Sequence, residues 1–344
     1  MAGRGHRVFL LCHPDGVLFK KAEKVQNITA IPLAIGRLSF LNPMSGWRLE
    51  RFFHQEGVDA LVMNLPQDMK CAAPSAKRAG VRHIIYRRGS ALPVKNSAMN
   101  RLLYGRILTG LIVNSRATLE ATLRNNRNLI PEERITLLPN GLDIARFDQA
   151  LEAGGATLLP GKQHPLVLGT AGRLNRQKAQ HLFLHLGNIL REGGLDCHLV
   201  LAGTGELEGK LRELARRLGL EGHVTFTGFL DDLSPFWRTV DIFVLPSLWE
   251  GFGFVLLEAM LARKPVVAFG ISNIPELVQH GHNGLLFPLT DVATPDMTPM
   301  AEGVATLARD TGLCSRMGEA GREFAVSHFD QEGCMDRLEL LLAL

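Results

Sequence analysis

The sequence predicts an α/β protein made of two doubly wound parallel-sheet domains and a helical C-terminal tail. Three observations predict it. Short apolar runs bounded by turn residues recur along the chain and alternate with stretches of helical periodicity, the pattern of a parallel sheet with helices on both faces. The alternation is interrupted once, at 149–164, by a soft segment containing Gly154, Gly155, Pro160 and Gly161. From 298 onward only the helical pattern remains.

The elements follow in order. The first half contains the runs RVFLLC (7–12), ITAIPL (28–33), ALVMNL (60–65), RHIIYR (82–87), LIVNS (111–115) and ITLLPN (135–140). The second half contains LVLGTAG (166–172), CHLVLAG (197–203), HVTFTG (223–228), DIFVLP (241–246), PVVAFG (265–270) and GLLFP (284–288). Helices are expected between the later runs at 176–191, 206–219, 252–263 and 274–280. The expected divisions are a first domain over 1–150, a linker over 151–164 and a second domain over 165–325. A C-terminal helix over 326–344 is expected to pack back toward the first domain. Open parallel sheets bind ligands at the carboxyl ends of their strands, so two in tandem are expected to face a cleft.

Composition bounds the function. With 344 residues, 46% apolar and 21% charged, the chain is long enough for two ordinary domains with sizeable cores. No apolar run approaches the roughly 20 residues of a membrane span, and no signal peptide is read at the start. The five cysteines (Cys12, Cys71, Cys197, Cys314, Cys334) contain no C-x-x-C pair, which suits free thiols in a reducing compartment. Residues 1–150 carry 22 Lys+Arg against 11 Asp+Glu, whereas the remainder carries 16 against 23. A basic first half points to an anionic partner, either an acidic acceptor or a membrane surface, or to a scattered solvated face. Nucleic acid is not expected, because the basic residues are not interleaved with aromatics and no binding motif is present.

The densest chemistry lies in Ser247–Glu258, SLWEGFGFVLLE. A strand pattern precedes it and a helical pattern follows, so its Gly-Phe-Gly turn opens a helix. Free amides and the helix dipole make such a start an anion site. Glu250 and Glu258 flank the turn. Carboxylates only accept hydrogen bonds, so they suit sugar or ribose hydroxyls rather than phosphate. Arg173 and Lys178, in TAGRLNRQKAQHL (170–182), place two cations after a strand, suited to a diphosphate clamp or to plain solvated surface. LAGTGELEG (201–209) holds Gly203 and Gly205 in a tight turn lining the same site, though its third glycine is wrongly spaced for a dinucleotide fingerprint. TGFLD (227–231) is read as a segment that packs against a base.

Together, GRLNRQK, AGTGE, FTGF, LPSLWEGFGFVLLEAM and KPVVAFGISNIPELVQHGHNGLLFP resemble the retaining, nucleotide-sugar-dependent glycosyltransferases of family 4. The resemblance covers nearly all of 165–290 in order and continues more loosely through LIVNSRATLEATL (111–123) and ITLLPNGLDIARF (135–147). It implies the GT-B fold, with two Rossmann-like domains facing a cleft. It implies that Arg173 and Lys178 bind the diphosphate, that Glu258 holds the ribose hydroxyls and that Glu250 lies near the donor sugar. It also implies that the backbone of Gly251, Phe252, Gly253, Phe254 and Val255 meets sugar and phosphate, and that Asn140 and Gly141 form the turn leaving the first domain. As the glycosidic bond breaks the leaving diphosphate gains charge, which Arg173, Lys178 and the helix start would stabilise without a metal. No metal ligands are assigned, since no Asp-x-Asp pair or His/Asp cluster is seen. No cofactor is expected beyond the nucleotide-diphosphate sugar as co-substrate.

The chain departs from the family pattern twice. RGHRV (Arg4–Val8) resembles a phrase that family members reach only after a first strand, glycine loop and helix, so the expectation is that this central strand is lacking. A sheet without it must re-pair or expose two edges. The alternative is that RVFLLCHPDG is itself the first strand and loop. The second departure is YRRG (Tyr86–Gly89), where the family has a histidine in place of Arg88. Arginine cannot act as a base at neutral pH but pairs with phosphate or carboxylate, so Arg87 or Arg88 is expected to read an anionic acceptor. His13 and His83 are the only histidines singled out, each more simply structural. The expected activity is transfer of a hexose-type sugar to an anionic or lipid-linked glycan acceptor in bacterial envelope polysaccharide or lipopolysaccharide synthesis, in the cytoplasm or on the inner face of its membrane. The rivals are another GT-B activity, such as a sugar-nucleotide epimerase, and a shortened paralogue that binds nucleotide sugar without turnover.

Overall fold

A computed structural model describes residues 1–36, 38–155, 157–159 and 166–342. Part of the expected linker, 156 and 160–164, and the last two residues of the expected C-terminal helix lie outside those residues. The chain forms two compact units: Met1–Pro139 with Gly333–Leu344, and Asn140–Glu332.

The second unit contains α6 (Ile144–Glu152), β7 (Val167–Ala171), α7 (Gln180–Glu192), β8 (His198–Ala202), α8 (Glu208–Arg217), β9 (Val224–Gly228) and α9 (Ser234–Thr239). It continues with β10 (Ile242–Leu245), α10 (Phe254–Leu261), β11 (Val266–Phe269), α11 (Ile274–Leu277), β12 (Gly284–Phe287), α12 (Thr298–Arg309) and α13 (Thr311–Phe329). Its six strands form one parallel sheet in the order β12-β11-β10-β7-β8-β9. β7, β8, β10 and β11 are buried along their whole length. Their side chains alternate between two cores, as the two-residue strand period requires. Leu168, Leu199, Leu201, Val244 and Val267 enter one, and Val167, Val200, Phe243, Leu245 and Val266 the other.

The first unit contains β1 (Val8–Cys12), α1 (Val17–Ala22), β2 (Ile28–Pro32), α2 (Pro43–Gln55), β3 (Ala60–Met63) and α3 (Pro66–Arg78). It continues with β4 (His83–Arg88), α4 (Ala98–Leu102), β5 (Gly110–Val113), α5 (Arg116–Leu123) and β6 (Ile135–Leu137). The last helix, α14 (Gln331–Leu342), completes it. Here the strands form two separate parallel sheets, β1-β2 and β3-β4-β5-β6. One face of the larger sheet packs Ile84, Tyr86, Leu111 and Val113 against α2 and α3 through Leu49, Phe53, Met69 and Ala73. The other face presents Ile85 and Ile112 to Leu338, Leu341 and Leu342 of α14. Arg4 ties the start of the chain to α14 through Asp336 (2.7 Å) and Glu339 (2.8 Å), and His6 Nε2 lies 3.0 Å from Glu339.

The first unit ends at Pro139, not near the expected 150. The reason is α6, whose Ile144, Phe147 and Leu151 pack into the second unit's core and whose Asp148 pairs with Arg322 of α13 at 2.7 Å. Among the described residues, no helix is long and apolar enough to cross a membrane.

Candidate functional site

The loop from β7 to α7 is fixed by its own side chains. Asn175 Oδ1 accepts the Lys178 N–H at 3.0 Å, and Gln180 Nε2 donates to the Arg173 carbonyl at 3.0 Å. The loop after β10 is stitched to it: Leu248 N–H donates to Gln177 O (2.9 Å) and Gln177 Nε2 to Trp249 O (2.9 Å). These bonds bring together two predicted residues 72 positions apart, for Lys178 Nζ donates to Glu250 Oε1 at 2.6 Å. Glu250 is only 5% exposed, and its own N–H donates to Ser272 Oγ at 3.3 Å. The contact is part-buried, and removing one partner leaves the other without its counter-charge. Arg173, by contrast, is exposed and makes no ion pair among the described residues, so its guanidinium is open to a ligand.

The start of α10 lies beyond Glu250. Its N-cap, Gly253, has φ 79, in the left-handed region that glycine enters without strain. No side chain caps this end and no acidic residue sits in its first turn, so its positive end is not neutralised from within the helix. The turn is held from below: Asn273 Nδ2 donates to Phe252 O at 2.7 Å, and the Phe252 and Phe254 rings meet edge-on at 5.3 Å. Four positions after Phe254, Glu258 has its carboxyl pushed up to about 6 by burial, with the Trp237 indole beside it offsetting part of the rise. No full hydrogen bond joins them, and Trp237 Nε1 is a buried donor without a partner.

Gly203 and Gly205 have a packing reason to be glycine. A Cβ on Gly203 would stand 2.1 Å from Gly172 O, and one on Gly205 2.2 Å from Leu174 O. The loops after β7 and β8 touch backbone to backbone, through Gly172 N–H to Ala202 O and Leu174 N–H to Thr204 O, both 2.9 Å. At the end of β9, Gly203 N–H donates to Gly228 O (2.8 Å), and the next side chain, Phe229, is exposed.

The remaining predicted residues belong to the first unit. Arg87 and Arg88 point to opposite faces of β4. Arg87 is on the face covered by α14, near Cys334, where burial lowers its pKa. Arg88 is 6% exposed, on the face of Tyr86 and Tyr104, where its charge opposes the rise that burial imposes on their hydroxyls. One Arg88 Nη2 N–H goes to Leu92 O, and Nε is buried without a partner. Burial pushes the Asp68 carboxyl up, and Asp68 is not among the partners of Arg88. His13 is exposed beside Asp15, and His83 Nε2 is buried without a partner. Sequence reasoning missed Gln177, Ser272, Asn273 and Trp237. The available signal for Gln177, Ser272 and Asn273 was their place inside the phrases GRLNRQK and KPVVAFGISNIPELVQHGHNGLLFP; Trp237 lies in neither phrase.

Residues 1–146 match the family described as Glycosyltransferase Family 4, and residues 165–310 match Glycosyl transferases group 1. Over 300 residues the chain is 28% identical to a GDP-mannose-dependent alpha-(1-6)-phosphatidylinositol monomannoside mannosyltransferase of Mycobacterium tuberculosis, covering 82% of this chain and 75% of that one. Over 179 residues it is 32% identical to the lipopolysaccharide core biosynthesis glycosyltransferase LpsE of Rhizobium meliloti, covering 52% of this chain and 50% of that one. The chain spans about half the length of curated relatives it matches at this level, 42% for EpsD of Bacillus subtilis. In structure it resembles the Anabaena HepE crystal structure in complex with UDP and glucose, with a TM-score of 0.79 at 23% identity, covering 99% of this chain and 94% of that one. A glycosyltransferase domain is thus matched in each half of the chain, and the fold is the GT-B fold of its solved neighbours.

Proposed function

We propose that the protein transfers a sugar from a nucleotide-diphosphate donor to an anionic or lipid-linked glycan acceptor, with retention of configuration and without a metal. The observation that carries the reading is the Lys178–Glu250 pair at 2.6 Å beside the uncapped start of α10. Such a pair offers a cation to phosphate and a carboxylate to sugar hydroxyls from one fixed point. Arg173, Lys178 and the amides at Gly253–Val255 stabilise the charge that grows on the departing diphosphate. Glu258 accepts hydrogen bonds from the ribose, Glu250 from the donor sugar, and Phe229 offers a ring face to the base. Arg88, a buried guanidinium without a carboxylate partner, supports an acceptor that brings a phosphate or carboxylate. The relatives support a role in glycan or glycolipid synthesis, since one is named for lipopolysaccharide core biosynthesis and another for a phosphatidylinositol mannoside.

A second reading, donor binding without turnover, is favoured by the separation of β1-β2 from β3-β4-β5-β6. That break falls where the resemblance expects a central strand. One experiment separates the two. Thermal shift against a panel of nucleotide sugars, with Lys178→Ala and Glu258→Ala as controls, is paired with an assay of nucleotide-diphosphate release. A shift for one donor, lost in both variants, together with release stimulated by a glycan acceptor, supports transfer. A shift with no release under any acceptor supports the second reading. No shift from a chain that still melts cooperatively sinks both.

A further inference from the structure

The first unit carries a surface that the proposed chemistry does not use. Leu38, Leu41, Met44 and Trp47 follow one another through the turn before α2 and its first turns, and all four are 54–69% exposed. Soluble surfaces scatter single apolar side chains, but four large ones within ten residues form a patch. α2 explains the arrangement. Met44, Trp47, Arg48 and Arg51 stand at i, i+3, i+4 and i+7, one stripe of the helix, while Leu49 and Phe53 are buried on its opposite side. Leu41 immediately precedes the N-cap Asn42, where a hydrophobic residue would ordinarily staple against the fourth helical position. Here that position is Gly46, so Leu41 has nothing to staple to and points outward.

The charge of the patch is one-sided. The two carboxylates of the α2 segment are already used: Glu50 pairs with Arg78 at 2.6 Å, and Glu56 pairs with Arg7. Arg48 makes no ion pair among the described residues, and Arg51 lies over the Trp47 ring, 5.5 Å from its centroid. Apolar residues led by tryptophan, flanked by arginines that can lay their stems on the apolar layer and their heads among phosphates, fit the boundary of a lipid bilayer. Arginine on a tryptophan face beside three aliphatic side chains suits a protein partner less well, because such a partner would need matching carboxylates around an apolar centre.

We propose that Leu38–Arg51 is a docking surface for a bilayer bearing anionic phospholipid headgroups, with Trp47, Met44, Leu41 and Leu38 entering the interface and Arg48 and Arg51 meeting phosphates. This deepens the lipid-linked acceptor reading by naming the surface that would bring the chain to it, but it stands on its own observations.

The test is flotation of the full chain with vesicles of phosphatidylcholine alone or mixed with phosphatidylglycerol, alongside tryptophan emission. Binding is expected only with phosphatidylglycerol present, weakened by salt, with a blue shift that Trp47→Phe removes. Arg48→Glu with Arg51→Glu is expected to lower partitioning by at least about tenfold, since each cation near an anionic surface adds to the attraction. Met44→Ser with Leu41→Ser is expected to lower it comparably without changing the melting temperature, because neither side chain is in the core. Equal flotation of wild type and all variants, or no flotation on anionic vesicles, overturns the proposal. So does a dimer in light scattering that Trp47→Ala dissociates, with no vesicle binding, since the patch would then cover a second copy. None of these readouts requires a nucleotide sugar, so failure of the glycosyltransferase reading would show separately as the absence of any donor-induced thermal shift.

Discussion

The two units solve the same architectural problem with unequal completeness. In the second, six parallel strands form one sheet, and its four inner strands are buried from end to end on both faces. In the first, six strands are divided into two and four, and every residue of β1 is only half-buried. β1 and β3 each pair with one neighbour, so each has a strand edge without a ladder partner. The lesson concerns where stability and chemistry reside. Of the residues proposed to meet the donor, Arg173, Lys178 and Glu250 lie in loops that follow strands of the continuous sheet, and Glu258 lies in the helix after β10. The divided unit holds the cationic Arg88 and the exposed α2 stripe, features suited to a less uniform partner.

The largest effect that would sharpen the contrast is chemical. Lys178→Ala or Glu250→Ala is expected to lower kcat/KM by about 10²–10³, comparable to losing one preorganised charge-stabilising group. Steady-state kinetics check this, and a change below tenfold in both would remove the pair from the mechanism. Next in size is a steric test. Gly203→Ala forces a Cβ to within 2.1 Å of Gly172 O at φ 132, and is expected to cost about 2–4 kcal/mol in urea unfolding. Gly57→Ala, also at positive φ but with nothing near its Cβ, is expected to cost clearly less, about 1 kcal/mol. Equal costs at the two sites would mean that backbone conformation, not loop contact, sets the penalty.

Third comes a pH effect with two opposite signs. The Glu258 carboxyl is raised from 4.5 to about 6, so the folded state favours its protonated form. The stability this contributes is full below pH 4.5 and is lost as pH rises through 6, amounting to about 2 kcal/mol. Glu258→Gln is expected to flatten that slope in thermal melts. Donor affinity should run the other way, weakening below pH 6 as the carboxylate proposed to accept the ribose hydroxyls becomes protonated. Calorimetric titration of the donor at pH 5 and 7 checks it; equal affinity would detach Glu258 from the ribose. The smallest effect lies in the divided unit. Arg4→Ala removes the contacts to Asp336 and Glu339 and is expected to cost less than about 1 kcal/mol, since the pairs are solvent-accessible. Its signature is faster amide exchange in α14, with β7 and β8 unchanged. Uniform acceleration across both units would show that the two do not open independently.

Much of the fold was legible because buried parallel strands leave continuous apolar runs. HLVLA, IFVL and VVAF have few other physical uses, and each structural strand begins and ends within two residues of its run. The division at 139 was not legible. The α6 pattern Ile144, Phe147, Leu151 marks an amphipathic helix without saying which core it serves, and only packing assigns it to the second unit. The site residues were legible as types around the glycine turn. Their pairing was not: Lys178 and Glu250 meet where the Leu248 N–H bonds Gln177 O and the Gln177 side chain bonds Trp249 O, contacts between distant segments that no local pattern announces. The Arg88 environment was likewise hidden, because a cation at a strand end reads as solvated until Tyr86 and Tyr104 close around it.

The connections of the second unit carry one more consequence. Leu142 N–H donates to Phe329 O at 2.8 Å, and Gln331 N–H returns to Leu142 O at 3.0 Å. The unit therefore begins and ends at a single point, side by side, and is an insertion between residues 139 and 333 of the first. Such a closed loop can be lifted out or exchanged as a cassette without stretching either join. A lineage that keeps the first unit can thus exchange the second by replacing one contiguous block of gene, with a two-bond clasp to reseal the seam.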